Sequence, residues 1–350
     1  MSTYDLVADL PLHIDGYELE GLEQDVASGF SRRSTVIHLY GDGEEGVGED
    51  VTYDATDQEA AQQAGANLPL QGEWTVRSFA EHLAGLALFP RKPQAEVSRL
   101  YRNWAYESAA LDLALRQAGE PLHAVLERRA QPLQFVVSLR LGDPPSLEKL
   151  TSRLERYPAL RFKVDPTSDW DQELVAGVAE TGAVELVDFK GHYEGSVMEQ
   201  PPDPELYRRV VQALDDVWFE DPKLTPEIDE LLAPYRSRIT WDADIHSVQD
   251  IEALPFAPQM LNFKPSRIGG LKRLLDAYGY AEANGIAAYG GGMYELGPGR
   301  GQIQYLASLF HPDAPNDTAP AGFLLADLPS DLPDGPLTPA PAAAGFRWTE

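Results

Sequence analysis

The sequence predicts an α/β fold in which a (β/α) barrel of the TIM type follows an N-terminal α+β capping domain. From about residue 133 to 330, short apolar runs alternate with amphipathic helical segments, which is typical of right-handed βαβ units around a parallel sheet. Seven or eight such units in about 200 residues favour a closed barrel over a doubly wound open sheet, the competing fold. The first 130 residues show a different order, with a strand pair first and helices after it.

Residues 1–130 form the predicted capping domain. Within them, STVIHLYGDGEEGVGEDVTYD (34–54) alternates apolar and polar residues around a Gly-Asp-Gly turn, which predicts a β-hairpin. Two later segments, SFAEHLAGLAL and YRNWAYESAALDLALRQAGEPLHAVLERR, carry apolar residues at helical spacing. The second segment contains a Gly followed by a Pro, which together predict a helix end.

Residues 131–327 form the predicted barrel. One helical segment, IGGLKRLLDAYGYAEANG, places an apolar face toward the sheet, formed by Leu271, Leu274, Leu275 and Tyr278. Residues 328–350 are rich in Pro and Ala, which predicts an extended or loosely packed tail; whether it packs back on the capping domain stays open. The predicted strands lie, in order, in LQFVVSLRLG, LRFKVDP, AVELVDFKG, DVWFEDP, RITWDADI, QMLNFKPS and GIAAYGGG.

Composition limits the chemistry that the chain can perform. With 43% hydrophobic and 24% charged residues, the 350-residue chain is typical of a globular protein. It has no cysteine, which excludes disulfides, thiolate catalysis and zinc–sulfur sites. The formal net charge of −28 disfavours nucleic acid and anionic membranes as partners. No apolar run approaches the roughly 20 residues of a membrane helix, and the N-terminus lacks signal-peptide features, so the sequence predicts a cytoplasmic protein.

Five consecutive strand candidates carry an ionisable residue at or near their C-terminal end. These residues are Lys163, Asp188, Glu220, Asp242 and Lys264, with separations of 25, 32, 22 and 22 residues. One strand and helix of a barrel take roughly 25–30 residues, so each charge recurs once per unit. A single acid after a strand is usually a helix N-cap or a solvated loop residue. Five charges in register instead predict one site at the mouth where barrel active sites lie.

The residue types at this mouth predict a metal site. Three converging carboxylates raise one another's pKa unless a cation neutralises them. Oxygen ligands without Cys or His favour Mg²⁺ first and Mn²⁺ second. A substrate carboxylate bound there would have its α-proton acidified, and a lysine on either side could remove or return that proton. For this role the pKa of each lysine would have to fall toward neutrality, which a neighbouring cation and partial burial would cause.

Six motifs spread over most of the chain share the pattern of one enzyme family. They are STVIHLYGDGEEGVGED, YRNWAYESAALDLALRQAGEPLHAVL, WFEDP, WDADIHSVQDIEAL, NFKPSRIGGL and GGGMYELGPGRGQIQYLASLF. In combination they resemble the enolase superfamily, specifically its muconate-lactonising-enzyme subgroup of the o-succinylbenzoate synthase and N-acylamino acid racemase type.

The resemblance implies a role for each strand-end residue and for four others. The implied metal ligands are Asp188, Glu220 and Asp242. The implied acid and base, on opposite faces of the substrate's α-carbon, are Lys163 and Lys264. The residues implied to contact the substrate are Arg161, Lys190, Gly292 and Met293.

The chain departs from the family pattern in its second and third strands. The Lys-x-Lys of the second strand is here Arg161-Phe162-Lys163, so the base is kept and Arg161 would bring positive charge with a fork geometry. The Asp-Ala-Asn of the third strand is here Asp188-Phe189-Lys190. Three alternatives stay open for Lys190, which would pair with a metal ligand, bind substrate or point away.

Other residues near the strand ends have competing interpretations. Asp244 is a rival to Asp242 as a ligand, because Ala243 replaces the usual glutamate. His192 and Tyr193 are interpreted as loop residues in preference to pocket residues, and Tyr289 is assigned to barrel packing.

Two regions bear on substrate choice. In the resembled family a capping loop governs specificity, and here it spans about 20–33, with Arg32 and Arg33 either contacting an anion or exposed to solvent. Dipeptide epimerases carry Asp-x-Asp in the eighth-strand region. That motif is missing here, where Asp327 stands alone in LLADLP, so dipeptide epimerisation is disfavoured.

The sequence therefore predicts a Mg²⁺-dependent lyase or isomerase that abstracts the α-proton of a small carboxylate. Elimination of the o-succinylbenzoate synthase type, racemisation or epimerisation, and cycloisomerisation all fit a lysine on each face. The alternative is a non-catalytic barrel that binds a metal or ligand. A homo-oligomer is compatible with the sequence.

Overall fold

The computed structural model describes residues 2–26, 29–193, 200–325 and 327–349. Its N-terminal part pairs an antiparallel sheet with one long helix. In chain order the elements are α1 (Asp5–Ala8), β1 (Pro11–Ile14), β2 (Gly16–Asp25), β3 (Ser31–Gly41), β4 (Glu44–Asp50), α2 (Ala55–Ala64), β5 (Gly72–Thr75), α3 (Val76–Ala84), α4 (Ser98–Ala118) and α5 (Leu122–Val125).

The predicted hairpin is the centre of this N-terminal part. Strands β2, β3 and β4 form an antiparallel meander, and the β3–β4 turn places Asp42 and Gly43 at φ values of 51° and 77°. Helix α4 crosses the sheet so closely that a side chain at Gly46 or Gly48 would clash with backbone carbonyls of the helix. Glycine at these two positions therefore sets the distance between helix and sheet.

The following part alternates strand and helix as the sequence predicts. In chain order the elements are β6 (Val137–Leu139), α6 (Glu148–Arg156), β7 (Phe162–Val164), α7 (Gln172–Glu180), β8 (Val184–Asp188), α8 (Pro204–Ala213), β9 (Trp218–Glu220), α9 (Pro226–Leu232), a 3₁₀ helix (Ala233–Arg238), β10 (Ile239–Thr240), α10 (Val248–Glu252), β11 (Met260–Phe263), α11 (Pro265–Ile268), α12 (Leu271–Asn284), β12 (Ala287–Gly290), α13 (Pro298–Phe310) and a second 3₁₀ helix (Ala321–Leu324).

Backbone hydrogen bonds link these strands in a circuit. Strands β6 to β10 form one parallel sheet in chain order, and β11 pairs in parallel with β12. Asn262 N–H donates to the Trp241 carbonyl at 3.0 Å and joins the two sheets. Asp317 N–H donates to the Gly290 carbonyl at 2.8 Å, and the Asn316 carbonyl accepts from Val136 N–H at 2.8 Å. Residues 316–317 thus take the place of an eighth strand in a TIM-type barrel.

The eighth-strand position corrects the sequence interpretation, which placed that region around Asp327. The segment at 316–317 is two residues long and polar, so no apolar run announces it. The side chain of Asn316 makes hydrogen bonds to both neighbouring segments, which a longer strand would make through its backbone. Its amide oxygen accepts from Gly290 N–H at 2.7 Å, and its amide nitrogen donates to the Gln134 carbonyl at 3.0 Å.

The capping part supplies carboxylates to two barrel helices whose N-cap residues are glycines. Glu107 on α4 accepts the N–H of Leu271 at 2.7 Å, at the start of α12. Glu49 on β4 accepts three N–H groups at the start of α13, from Leu296 at 2.7 Å and from Gly297 and Gly299 at 3.0 Å. Negative charge at a helix N-terminus is stabilising, so these contacts fix the cap against the barrel.

The C-terminal tail is extended and anchored to the capping part. Phe346 is fully buried, and its N–H donates to Asp112 at 2.7 Å. Arg347 pairs with the same carboxylate at 2.8 Å. None of the helices in the described ranges combines the length and the apolar character needed to cross a bilayer.

Candidate active site

The structure brings the five predicted strand-end residues together at one mouth of the barrel. Lys163 lies in β7, Asp188 ends β8, Glu220 ends β9, Asp242 follows β10 by two residues and Lys264 directly follows β11. Parallel strands end at the same edge, so these side chains converge. All five are buried, and none is more than 7% exposed.

Lys163 forms the centre of the charge cluster. Its ammonium contacts the Glu220 carboxylate directly and lies 3.2 Å from Asp188 Oδ2. A third carboxylate, Asp317 Oδ2, lies 3.6 Å away on the eighth-strand segment. Asp317 is a site residue that sequence reasoning missed, because its segment was not recognised as a strand.

Lys190 pairs with a predicted metal ligand, which is one of the alternatives left open by the sequence; its predicted role as a substrate contact stays a prediction. Its backbone N–H donates to Asp188 Oδ1 at 3.0 Å, and its ammonium contacts Asp188 Oδ2. The same ammonium lies 3.6 Å from Asp165 Oδ1. Lys190 has a φ of 54°, an uncommon backbone conformation for a residue other than glycine.

Asp242 is held on both oxygens by cationic side chains. Lys264 Nζ donates to its Oδ2 at 2.7 Å, and Arg267 Nη1 lies 2.8 Å from its Oδ1. The Tyr193 hydroxyl donates to Oδ2 at 3.1 Å, so Tyr193 is a site residue rather than a simple loop residue. Arg267 was also missed, although it lies three residues after Lys264 on the single turn of α11, a spacing that keeps two side chains on one side.

Among the described residues, the carboxylates close enough to share one metal ion are not quite the predicted set. Oxygens of Asp188, Glu220 and Asp221 lie within 4.8 Å of one another, whereas Asp242 is outside this group. The physical reason is that Lys264 and Arg267 hold the Asp242 carboxylate.

Asp221 also binds the backbone of the loop that follows β10. Its two oxygens accept the N–H groups of Asp242 and Ala243, each at 2.9 Å, and so position the loop after β10. The rival ligand Asp244 lies elsewhere, because its carboxylate pairs with His192 at 2.6 Å on a more exposed part of the loop.

Burial and like charges raise the pKa of two carboxyl groups in the cluster. Burial, opposed by Lys163 and reinforced by Asp188, raises the pKa of Glu220 to about 8. Burial and the charges of Asp242 and Asp188 raise the pKa of Asp221 to about 6. The all-oxygen donor set and these raised values fit a hard divalent cation such as Mg²⁺, which would favour the ionised form of both groups.

The cations have the opposite effect on Asp188 and Asp242. Burial alone would raise both pKa values, but Lys190 and Lys163 hold the pKa of Asp188 below its ordinary value, and Arg267 and Lys264 do the same for Asp242.

Lys163 differs from the expectation that its pKa would fall toward neutrality. Burial does act in that direction, but the charges of Glu220 and Asp188 outweigh it and raise the pKa of Lys163 well above its ordinary value. The expected decrease in the pKa of Lys163 assumed that a metal cation neutralises Glu220 and Asp188.

Glu220 also accepts from two side chains deep in the barrel. The Tyr289 hydroxyl contacts its Oε2, and Asn262 Nδ2 donates to the same oxygen at 3.4 Å. Assignment of Tyr289 to packing alone was therefore incomplete, since a buried tyrosine hydroxyl needs a polar partner and here finds a predicted ligand.

Arg161 is not part of the site, which corrects its predicted role as a substrate contact. Its guanidinium lies 3.5 Å from Glu185 and donates to the carbonyls of Ala159 and Leu160. Arg161 precedes β7, so its side chain lies at the amino-terminal edge of the sheet, and it is half-exposed. The Lys-x-Lys spacing alone does not show whether the side chain of Arg161 lies at the amino-terminal or the carboxyl-terminal edge of the sheet.

The glycine-rich segment after β12 shapes the mouth. Met293 is buried against Val51 and Tyr101, with its sulfur 3.8 Å from Arg267 Nη2, so it packs under the site. A Cβ at Gly292 would lie 2.8 Å from Arg300 Nη1, away from the lysines. The predicted role of Gly292 and Met293 as substrate contacts stays a prediction.

The arginines of the capping loop have structural partners. Arg32 is buried and donates to backbone carbonyls of Thr52 at 2.9 Å and Met293 at 3.1 Å, so it ties the cap to the barrel and is neither exposed nor available to an anion. Arg33 lies 3.1 Å from Glu23 and also pairs with Glu59. Residues 27 and 28 of the 20–33 loop lie outside the described residues.

Comparison with known proteins places this geometry in a family. Residues 129–324 match the C-terminal domain, and residues 5–125 the N-terminal domain, of a family described as a domain of unknown function, DUF8230. An N-succinylamino acid racemase of Thermus thermophilus is 26% identical over 90% of this chain and 86% of its own.

Solved structures share the fold. A member of the enolase superfamily from Listeria innocua is 21% identical, with a TM-score of 0.67 over 90% of this chain and 88% of its own. A dipeptide epimerase from Methylococcus capsulatus, complexed with a Mg ion, is 21% identical, with a TM-score of 0.69 over 95% of this chain and 99% of its own.

Proposed function

The chain belongs to the DUF8230 family, and we propose that it is an enzyme of the enolase superfamily that removes the α-proton of a carboxylate substrate with the help of Mg²⁺. One observation carries the proposal. Lys163 in β7 and Lys264 directly after β11 both reach the same buried group of carboxylates, where Lys163 contacts Glu220 and Lys264 contacts Asp242.

Asp188, Glu220 and Asp242 are the proposed ligands. Asp221 lies closer to the first two, but both of its oxygens already accept backbone N–H groups, so its proposed role is to position Asp242. Asp242 is held only by side chains, with Lys264 on Oδ2 at 2.7 Å and Arg267 on Oδ1 at 2.8 Å, so within the described ranges neither of its oxygens is bound to a backbone N–H group of another segment. When bound, Mg²⁺ supplies a Lewis acid that neutralises the negative charge developing on the substrate carboxylate.

The proposed chemistry uses the two lysines on opposite faces of one carbon. In the circuit of strands, β7 is second and β11 is sixth of eight positions, so Lys163 and Lys264 stand on opposite walls of the mouth. A substrate between them presents one face of its α-carbon to each ammonium or amine. One lysine takes the proton and the other returns it to the opposite face, which is racemisation.

The proposed substrates are N-acylated amino acids. Support comes from the N-succinylamino acid racemase relative, which covers most of both chains, and from the lysine on each face. A dianionic N-succinyl substrate also suits a mouth that gathers Lys163, Lys190, Lys264 and Arg267.

The test is α-proton exchange. We would incubate the protein with Mg²⁺ and a panel of N-succinyl and N-acetyl amino acids in D₂O, following the α-proton by NMR and the enantiomers by chiral chromatography. Mn²⁺ in place of Mg²⁺ and o-succinylbenzoate-type precursors would extend the panel. The wild type should exchange and racemise at least one substrate.

Single-lysine variants make the test specific. Lys163→Ala and Lys264→Ala should each abolish racemisation, and each should retain at most exchange of one enantiomer, of opposite hand in the two variants. The matched control is Lys272→Ala, an exposed lysine on α12 that pairs with Asp276. If calorimetry shows Mg²⁺ binding but no substrate exchanges, the non-catalytic binding barrel would be favoured instead.

A further inference from the structure

Two ammonium groups of the cluster each have a second carboxylate close by that is not a proposed metal ligand. Lys163 has Asp317 at 3.6 Å, and Lys190 has Asp165 at 3.6 Å. Both distances exceed the 2.7–2.9 Å or so of a charge-assisted hydrogen bond, so these second carboxylates lie near the ammonium groups without binding them fully.

Lys190 contacts both oxygens of Asp188, and the Lys163 ammonium lies 3.2 Å from one of them. The N–H of Lys190 engages one oxygen and its ammonium engages the other, so a single residue covers both oxygens of a proposed ligand. The backbone of Lys190 is left-handed, a conformation that costs a residue with a Cβ on the order of 1 kcal/mol.

Asp165 has one oxygen fixed and one open. Arg140 Nε donates to its Oδ2 at 3.1 Å. Its Oδ1 is buried and, among the described residues, has no hydrogen-bond partner. Asp165 is only 7% exposed, so water does not readily satisfy this oxygen. A buried half-satisfied carboxylate therefore faces an ammonium that is bound elsewhere.

We propose that the Lys190 ammonium holds the cation's place on Asp188 until Mg²⁺ binds, and then moves to Asp165. A displacement of about 1 Å would bring the ammonium within hydrogen-bond distance of Asp165 Oδ1. The exchange keeps the buried charges paired at both stages, since Mg²⁺ neutralises Asp188 while Lys190 satisfies Asp165. This inference rests on the proposed metal site and adds a residue that sets its affinity.

Two consequences follow for metal binding. Mg²⁺ has to displace an ammonium from Asp188, so the wild-type affinity is lower than the carboxylates alone would give. Asp165 offsets part of that cost by receiving the displaced ammonium, so its removal weakens binding even though Asp165 does not touch the ion.

The experiment is calorimetric titration of Mg²⁺ into four proteins: wild type, Lys190→Met, Asp165→Asn and the surface control Lys272→Met. Lys190→Met should bind Mg²⁺ about tenfold or more tightly, and Asp165→Asn should bind it several-fold more weakly. The control should match the wild type. Without Mg²⁺, Lys190→Met should also unfold at a lower temperature than the wild type, and saturating Mg²⁺ should remove that difference.

Each outcome decides the matter. Unchanged or weaker binding in Lys190→Met overturns the inference and leaves the proposed function standing. Unchanged binding in Asp165→Asn overturns the role of Asp165. No Mg²⁺ binding by either the wild type or Lys190→Met overturns both the inference and the proposed metal site. Should Lys190→Met not fold, Lys190→Gln takes its place in the same titration with the same expected result.

Discussion

The backbone of Gly291 lies against the side chain of Lys264, and a Cβ atom at Gly291 would sit 2.5 Å from Lys264 Cε and 2.6 Å from Asn262 Oδ1. The glycine is needed for this close approach rather than for its dihedral angles, because its φ is outside the left-handed region. Gly291 thus limits how closely the side chain of Lys264, the proposed acid or base after β11, can approach the barrel wall.

Gly291→Ala should displace Lys264 while leaving the fold intact. A misplacement of about 1 Å at a reacting group can cost roughly 100-fold in rate, so kcat for racemisation should fall by that order. The measurement is steady-state racemisation with circular dichroism to check folding. Gly279→Ala on α12, where an added Cβ meets nothing within 4 Å, is the control and should keep full activity. Full activity in Gly291→Ala would show that the position of Lys264 is not critical.

Mg²⁺ binding should release protons near neutral pH. Burial, opposed by Lys163 and reinforced by Asp188, raises the pKa of Glu220 to about 8, so in the absence of metal this carboxyl titrates near neutral pH. The ligand must ionise to bind Mg²⁺, so affinity should rise as the pH increases from 6 to 9. Calorimetry in two buffers of different ionisation enthalpy measures the protons released. Equal apparent enthalpies at pH 7 would contradict the raised pKa.

The same group makes the stability without metal fall as pH rises. The pKa of Glu220 in the folded state, about 8, exceeds the 4.5 of the unfolded chain, so the folded state binds more protons between these values. The contribution of Glu220 to the free energy of unfolding should therefore decrease between pH 4.5 and 8, and Glu220→Gln should lack this contribution. Urea unfolding across that range tests it, and an unchanged slope in the variant would contradict the assignment.

His311 should make the barrel sensitive to acid. Burial lowers the pKa of His311 to about 4, and the ring bonds Asn316 Oδ1 at 2.6 Å and the Tyr278 hydroxyl at 3.0 Å. The unfolded value of 6.5 is higher, so the unfolded chain binds more protons and stability falls as the pH drops from 6.5 to 4. The loss from this residue should be about 2 kcal/mol between pH 7.5 and 5.

The His311 prediction is measured by comparing variants, because other acids also titrate in this range. His311→Asn keeps a donor for Asn316 but does not titrate, so its free energy of unfolding should depend less on pH than that of the wild type by about 2 kcal/mol. His82→Asn, a residue bonded at the surface to the Pro69 carbonyl, should leave the slope unchanged. Equal slopes in the wild type and His311→Asn would count against the prediction.

Glu49→Ala should loosen the cap from the barrel. The variant loses the acceptor for three N–H groups at the start of α13 and for the Ser34 hydroxyl at 2.7 Å. Unsatisfied buried donors cost about 1–3 kcal/mol each, so the free energy of unfolding should fall by at least about 3 kcal/mol. Urea unfolding measures this, with the exposed Glu252→Ala as control. A loss no larger than in the control would show that the cap contact is dispensable.

The acidic surface should make stability depend on salt. A formal net charge of −28 destabilises the compact state through self-repulsion. The Debye screening length falls from roughly 10 Å at 0.1 M to about 3 Å at 1 M salt, so repulsion between the surface carboxylates weakens. The unfolding temperature should therefore rise as KCl is raised over that range. An uncharged osmolyte at equal osmolarity is the control. A falling unfolding temperature in KCl would contradict the prediction.

The strand-end charges could be predicted because they follow the unit length of the barrel. Lys163, Asp188, Glu220, Asp242 and Lys264 recur once per strand and helix, and the mouth they form follows from that period. Arg267 carried a signal that could have been read, since it lies within one helical turn of Lys264. Asp317 carried none, because a two-residue strand has no apolar period.

The sequence could not predict which edge of the sheet a side chain reaches or which groups pair with each carboxylate. Arg161 and Lys163 are two residues apart, yet only Lys163 reaches the mouth. Asp221 and Asp242 are both acids beside strand ends, yet backbone N–H groups hold one and cationic side chains hold the other. These choices depend on distances of a few ångströms between segments far apart in the chain.

The sequence by itself determined the barrel and the mouth at which its charges meet, because parallel strands that repeat with one period all end at the same edge. Only the tertiary structure decided that Lys190 covers Asp188 beside an open oxygen of Asp165, and that the ring of strands is joined through Asn316 and Asp317. Ion pairing and strand pairing act over hydrogen-bond distances, and residue spacing along the chain does not encode contacts that short between its distant parts.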